Sequence, residues 1–556
     1  MLHNLTNTTA PALLAIAIVA CSDASTTADF AYFEYSGADP CHAAFVDDGQ
    51  SYCNPILGGY YPDPSVCRVG DTFYMVNSSF AHFPAVPVFS SHDLVHWQQI
   101  GHVLDRPEQV NLDGLDMAQG IYAPTIRYCE TNKTFYVITT CVGCGGNFVV
   151  KATDPRGPWS NPIWLPAVGG IDPSLFFDVN GLAYIVNNDA PQDEPQWDGH
   201  RALWLHQYDL DRDTTVGHPV LLVDGGVRPA DKPVWIEGPH LYRINGKYYL
   251  MAAEGGTGDA HSEVLFVSDD VMGPYTPAKV NPILTQRDLP RDRQMPVTCT
   301  GHADIVDDAD GQYFAVFLGC RPNASGTYNT GRETFLLPVT MLDEGFVILP
   351  KGEAVPYVVH KSNLRKPDGY EPMGGNFAWR TDFDDDSLPE RFVMIRRPAK
   401  RWYDIADGAL RLHPQSIALN GRNNPAFLAV RQQHIDFSAQ TQVDFVPRSD
   451  GDMAGLACFQ NDDNYILFGK TRRDGRERLE VLENKKSKLS LAAHADLPND
   501  APLTLRVASH DAHYHFQCIY HGDTVNVASV DATHLSTDRA GGFVGAVVGM
   551  FAVKSK

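Results

Sequence analysis

Five copies of one short pattern run through roughly the first two-thirds of this 556-residue chain. They open at Asp63-Pro64-Ser65-Val66, Ala123-Pro124-Thr125-Ile126, Asp172-Pro173-Ser174-Leu175, Glu237-Gly238-Pro239-His240-Leu241 and His302-Ala303-Asp304-Ile305. Each runs through apolar residues and a polar or glycine turn into an aromatic-aliphatic run. Those runs are Phe73-Tyr74-Met75-Val76, Phe135-Tyr136-Val137-Ile138, Ala183-Tyr184-Ile185-Val186, Tyr248-Tyr249-Leu250-Met251 and Tyr313-Phe314-Ala315-Val316. The unit is a strand, a hairpin and a strand, repeated about every 50–65 residues, which predicts a radial array such as a β-propeller. Radial repetition brings equivalent positions around one axis. A fainter repeat agrees: Ser91-His-Asp93-Leu-Val-His-Trp97, Thr153-Asp154-Pro-Arg-Gly-Pro-Trp159 and Ser268-Asp-Asp270-Val-Met-Gly-Pro-Tyr275 read as outer turns, each with an aromatic to seal a blade interface.

Three of the five openings carry an acid, so Asp63, Asp172 and Glu237 are expected to converge, and converging carboxyls point to glycosidic-bond hydrolysis. The net charge of −23 opposes a nucleic-acid partner or an anionic membrane surface. A neutral polysaccharide makes no such demand. Glycines (46) and prolines (38) punctuate short strands, and strong helix patterns are lacking, as in an all-β chain. From about residue 370 eight further strands are expected: Asn376–Trp379, Phe427–Val430, Gln442–Phe445, Ala454–Cys458, Tyr465–Phe468, Leu479–Leu482, Leu503–Arg506 and Tyr514–Cys518. Their number suggests a sandwich or jelly roll. The basic stretch Arg396-Arg397, Lys400-Arg401 is expected to be a solvated face.

The expected organisation is a leader over 1–24, an N-terminal segment over 25–50, a five-bladed β-propeller catalytic domain over 51–358 and a β-sandwich over 359–556. The apolar run Pro11 to Ala20 is too short to span a bilayer but has signal-peptide length. It ends in Ile18-Val19-Ala20-Cys21, a lipobox-like string that makes Cys21 a candidate lipid anchor. The n-region has no Lys or Arg before the run. That absence speaks against a signal peptide, but the length of the run and its lipobox-like end make the expected location exported, periplasmic or held at the cell envelope, with the cytoplasm as the alternative. Eleven scattered cysteines do not form a disulfide scaffold. The one close pair, Cys141-Val-Gly-Cys144, is expected to be free or locally bridged rather than a zinc site.

At these motifs the chain resembles glycoside hydrolase family 43, the β-xylosidases and α-L-arabinofuranosidases built on a five-bladed propeller. The resemblance rests on Asn54-Pro-Ile-Leu-Gly-Gly-Tyr-Tyr-Pro-Asp63-Pro-Ser-Val, Asn77-Ser-Ser-Phe80, Gly120-Ile-Tyr122-Ala-Pro-Thr-Ile-Arg127, Gly170-Ile-Asp172-Pro-Ser-Leu-Phe, Trp235-Ile-Glu237-Gly-Pro-His, Gly301-His302-Ala-Asp and Asn329-Thr-Gly-Arg332-Glu-Thr-Phe. Gln432-Gln433-His434 and Gly455-Leu-Ala-Cys-Phe459-Gln460 resemble the sandwich of the xylosidase branch. Many relatives end that sandwich on a strand reading roughly Ala-Asp-Phe-Asp-Tyr-Phe. A similar string, Ala28-Asp29-Phe30-Ala31-Tyr32-Phe33-Glu34-Tyr35, lies here near the N-terminus. It is expected to cross over and supply a sandwich strand, the alternative being a free tail.

The resemblance implies Asp63 as general base, Glu237 as general acid and Asp172 as the third acid, which raises the pKa of Glu237 and orients it. An inverting glycosidase needs one ionised and one protonated carboxyl, about 6.5–9.5 Å apart across the sugar, and neighbouring charges are how one fold keeps both states at one pH. Arg332 is the expected clamp on sugar hydroxyls, because its planar fork donates two hydrogen bonds. By resemblance Phe80 and Tyr122 are pocket walls, with Tyr122 where many xylosidases carry Trp. Thr257 lies on a substrate-side loop, and Phe543, in Gly542-Phe543-Val544-Gly545, is either a pocket wall or a core residue of the sandwich. His302 sits beneath the sugar, and in some members this histidine helps hold a central calcium through water. The sequence displays no dedicated oxygen cage for calcium, and the hydrolysis requires no cofactor.

The activity implied is exo-acting, inverting release of terminal β-1,4-xylose from xylo-oligosaccharides, of α-L-arabinofuranose from arabinoxylan, or both. The alternatives are a non-catalytic glycan-binding propeller and a fructan hydrolase. The latter's Asn-Asp-Pro-Asn, Arg-Asp-Pro and Glu-Cys signatures are replaced here by Pro62-Asp63-Pro64-Ser65, Ile171-Asp172-Pro173 and Glu237-Gly238. The oligomeric state, a homo-oligomer included, is left open.

Overall fold

The computed structural model describes residues 27–497, 502–520 and 522–555; the leader and Cys21 lie outside them. The five repeats form five antiparallel blades. Four sheets are built from strands Ser65–Val69 to Gln98–Leu104, Gly120–Cys129 to Ile163–Trp164, Ile171–Phe177 to Thr214–Asp224, and Glu237–Ile244 to Thr276–Pro277. The fifth has three strands, Thr298–Asp307, Tyr313–Cys320 and Arg332–Pro338. The segment before the first blade covers its open edge. Ile56 and Thr334 belong to paired backbones, and the Asn54 side chain donates to and accepts from the backbone of Leu336. Closing the ring this way pairs an edge that would otherwise invite aggregation.

Each blade buries its aromatic-aliphatic run because alternate residues on a strand face the neighbouring blade. The outer-turn aromatics Trp97, Trp159 and Tyr275 are buried as expected. Asp93, Asp154 and Asp270 accept backbone N–H groups two residues on and so fix those turns. Along the axis, Asp304 is fully buried and takes both ends of the Arg127 guanidinium at 2.8 and 3.0 Å. It also accepts from Ser65 Oγ at 2.7 Å and the Tyr242 hydroxyl at 2.6 Å. One carboxylate thus links four blades.

Two eight-stranded sheets form the sandwich. Strand Ala28–Gly37 lies inside the first sheet, between Ala409–Leu412 and Phe437–Asp444, with Phe377–Thr381 also paired to it. Phe30, Phe33 and Tyr35 on its inward face are fully buried. The second sheet ends on a strand from the first blade, His82–Phe83, which pairs with Val393–Ile395. Strand Val358–His360 pairs with Ser51–Cys53, so it lies with the propeller although the expected sandwich range begins at 359. The polar strands Lys488–Asp496 and Asp523–Asp531, absent from the expected set, are sheet-edge strands that bury almost nothing.

The basic stretch is a correction in its first half, whereas Lys400 and Arg401 are exposed as expected. Arg396 is fully buried, holds Asp462 within the sandwich through two nitrogens at 3.1 and 2.6 Å and donates from Nε to the Leu115 carbonyl of the propeller side at 2.7 Å, while Arg397 pairs with Asp113 of the propeller. A charge run can be a set of interdomain pins, and the sequence does not show where the partner acids lie. Among the described residues no helix is long and apolar enough to cross a membrane.

Candidate active site

Asp63, Ala123, Asp172, Gly238 and His302 occupy one equivalent position in the five blades. All five are left-handed, with φ of 52, 34, 55, 57 and 50°. Proline follows in four cases and Ala303 in the fifth. In the last four blades the register shifts just after this point, so a bulge turns the start of the innermost strand toward the axis. A non-glycine residue held there costs about 1–3 kcal/mol, a strain that functional sites accumulate. Gly238 is glycine for a second reason: a Cβ would lie 2.8 Å from His302 Nε2. The opening of the fourth blade is therefore offset by one residue, with Glu237 just ahead of the left-handed position.

These turns, with their neighbours, line a pocket of about 330 Å³ that opens to solvent. All nine residues singled out from the sequence line it: Asp63, Asp172, Glu237, Arg332, His302, Phe80, Tyr122, Thr257 and Phe543. Asp63 Oδ2 accepts from the Ser78 hydroxyl at 2.6 Å, and Oδ1 faces Arg332 Nη1 at 3.2 Å and His302 Nδ1 at 3.7 Å. Burial pushes the Asp63 carboxyl up, but Arg332, His302 and the Ser78 hydrogen bond outweigh it and hold it below the usual carboxylate range. Asp172 accepts from the Gly238 N–H at 3.2 Å. Burial, with the negative Asp63 adding to it, raises Asp172 to about 6. Glu237 goes well above the ordinary glutamate value, through burial first and then the charges of Asp172 and Asp63. The surroundings thus push the two carboxyls in opposite directions, Asp63 toward the ionised form and Glu237 toward the protonated one.

Phe80 and Phe543 stack with centroids 6.0 Å apart, and Tyr122 meets both edge-on at 5.1 and 5.7 Å. Arg332 lies 5.7 and 5.5 Å from the two phenyl centroids and donates to the Phe543 carbonyl at 3.3 Å. Phe543 comes from the sandwich, so the pocket wall is shared between the two halves of the molecule. Trp235, Ala123, Val142, Ile171 and Gly256 also line the cavity without having been singled out. Trp235 adopts φ 51° and stacks against the Arg201 guanidinium at 4.1 Å. Its place two residues before Glu237 was the available signal; Val142 and Ile171 read as ordinary strand residues.

Among the described residues the one compact group with metal-ligand atoms is Asp39, Cys41 and His42. Asp39 is already bound to Arg321, and the His42 ring nitrogens meet Asn54 O and Asn376 Oδ1. Near the His302 turn, Glu263 accepts the Ala303 N–H, while Glu263 Oε1, Thr300 Oγ1 and His261 Nε2 are buried without protein partners.

A propeller capped by a sandwich, with three buried acids and an arginine round a small pocket, defines a glycosidase. Residues 52–347 match the sequence model of Glycosyl hydrolases family 43, and residues 380–556 match the Beta xylosidase C-terminal Concanavalin A-like domain. A xylosidase/arabinosidase of Butyrivibrio fibrisolvens is 37% identical over 90% of this chain and 95% of its own length. A non-reducing end alpha-L-arabinofuranosidase of Bacteroides ovatus is 35% identical over 90% and 91%. The crystal structure of a GH43_12 protein retrieved from a capybara gut metagenome superposes with a TM-score of 0.89 at 41% identity, covering 95% of this chain and all of that one. The chain belongs to glycoside hydrolase family 43.

Proposed function

We propose that the protein is an exo-acting, inverting hydrolase that releases terminal β-1,4-linked xylose from xylo-oligosaccharides and accepts terminal α-L-arabinofuranose in the same pocket. The observation that carries this reading is the convergence of Asp63, Asp172, Glu237 and Arg332 on one pocket of about 330 Å³, in which Arg332 and His302 favour the ionised form of Asp63 while burial and the neighbouring acids favour the protonated form of Glu237. In this reading the Asp63 carboxylate takes a proton from the attacking water. Glu237 gives its proton to the departing glycosidic oxygen. Asp172 keeps Glu237 protonated and, through the Gly238 N–H, fixes the turn that presents it. Arg332 holds ring hydroxyls between the two phenyl faces.

The names of the relatives support both sugars. The deciding experiment is kcat/KM on aryl β-D-xyloside and aryl α-L-arabinofuranoside, side by side. Turnover of either supports the reading and the ratio ranks the two sugars; turnover of neither refutes it. A structural calcium near His302 belongs to the same proposal, supported by the unpartnered oxygens of Glu263 and Thr300. It would neutralise charge on the axis, and no step of the hydrolysis runs through it. Export by way of the apolar run before Cys21 is likewise proposed, and acylation of Cys21 would be read from the mass of the membrane-extracted protein.

A further inference from the structure

The Cys141-Val142-Gly143-Cys144 hairpin is the one singled-out motif that the hydrolytic reading leaves unused. Strand Thr134–Val142 turns there into Gly146–Ala152, and the two cysteines are joined as a disulfide with Cα atoms 5.3 Å apart. Between them stands Val142, half-buried and part of the pocket lining. Gly143, at φ 83°, packs against Leu115 and Gln119, where a Cβ would come within 3.1 Å of both side chains. The 115–119 loop reaches two other walls. The Ala118 carbonyl accepts from the Tyr122 hydroxyl, and Ala118 abuts Gly542, the residue before Phe543. One four-residue turn therefore touches Val142 directly, and Tyr122 and Phe543 through a single loop.

We propose that Cys141 and Cys144 form a thiol–disulfide modification site that sets the shape of the sugar pocket. With the bridge closed, the turn is pinned and Val142 and the 115–119 loop are held against the substrate. A dithiol opens it: the S–S bond breaks, two S–H bonds form, and the two electrons and two protons come from the reductant, which leaves as its own cyclic disulfide. Cys141 is fully buried but Cys144 is partly exposed, so a small thiol has a sulfur to attack. The loop the bridge closes is very short, and the entropic stabilisation from a disulfide grows with loop length. Its effect is therefore local, on binding, rather than on global stability.

The test uses the full chain purified without reductant. Alkylation and peptide mass spectrometry should find Cys141 and Cys144 unlabelled before reduction and labelled after it; labelling of both before reduction overturns the proposal. Kinetics on the aryl glycosides should show KM rising about three- to tenfold on reduction, kcat changing less than about twofold, and recovery after hydroxyethyl disulfide. Equal KM in the two states overturns it. Cys144→Ser should match the reduced enzyme and ignore further reductant. A Cys144→Ser enzyme that still responds places the effect on one of the other thiols and also overturns it. The inference rests on the sugar pocket being the substrate site. If neither state turned over either glycoside, the substrate reading would fail, and xylose binding followed by intrinsic tryptophan fluorescence in both states, with Trp235→Phe as the control that assigns the signal, would still decide the effect of the bridge on the pocket.

Discussion

At the scale of single residues, the site works by setting apart carboxyls that would otherwise share one pKa. Arg332 and His302 keep Asp63 ionised, whereas burial, helped by Asp172 and Asp63, keeps Glu237 protonated. With Glu237 in the proposed role of general acid, activity should fall as pH rises through the elevated Glu237 value. Asp172→Asn removes a negative neighbour and lowers that value, so the alkaline limb of the kcat/KM profile moves toward acid; an unmoved limb would remove Asp172 from this role. Glu237→Ala should lose about 10²–10⁴-fold on substrates with poor leaving groups and far less on activated aryl glycosides, which need no proton on departure. Equal losses on both would deny Glu237 the part of general acid. The three acids were legible because each stands in its own repeat with its own wording. Trp235 and Val142 were not, because a wall residue is defined only by what it faces.

At the scale of elements, the strand Ala28–Gly37 and the turn after it act as a clasp. Tyr35 stacks on Phe437 at 5.7 Å, and its hydroxyl accepts from the Gln433 N–H at 2.9 Å. Just beyond the strand, buried Asp39 takes Arg321 at 2.5 Å and the N–H groups of Ile435 and Asp436 at 2.8 and 3.0 Å. Arg321 also holds Glu333 of the fifth blade at 2.6 and 2.8 Å. The N-terminal segment, the last blade and the sandwich thus meet at one guanidinium. Removing one member of a buried ionic network costs about 3–5 kcal/mol because the remaining charge is stranded, so Asp39→Ala should lower the melting temperature clearly. Deleting residues 25–40 should lower it further. An unchanged melting curve in either variant would show that the clasp carries no stability.

At the scale of the whole molecule, the two halves are interleaved rather than joined by a tether. The sandwich takes a strand from the N-terminus and another, His82–Phe83, from the first blade, and it returns Phe543 to the pocket. Arg396, through the Leu115 carbonyl, and Arg397, through Asp113, pin the same interface, and the largest apolar cluster runs from the first two blades into both sheets of the sandwich. Shared strands and a shared core make unfolding cooperative across the boundary. Calorimetry should therefore give one transition, and two well-separated transitions would contradict the interleaving. A chain ending at residue 358 should be inactive even if soluble, having lost the Phe543 wall and the partner of His82–Phe83.

The sequence by itself determined the repeat, the number of blades, the all-β class and the acids at the head of the innermost strands. These follow from local alternation and turn chemistry, which a chain carries wherever it folds. Only the tertiary structure decided that Arg396 is a buried pin and not a solvated charge, that Val142 and Trp235 line the pocket, and that Phe543 is one of its walls. Each of these depends on which distant strand lies opposite, and burial and pairing are properties of that opposition, fixed by closure of the ring and docking of the sandwich.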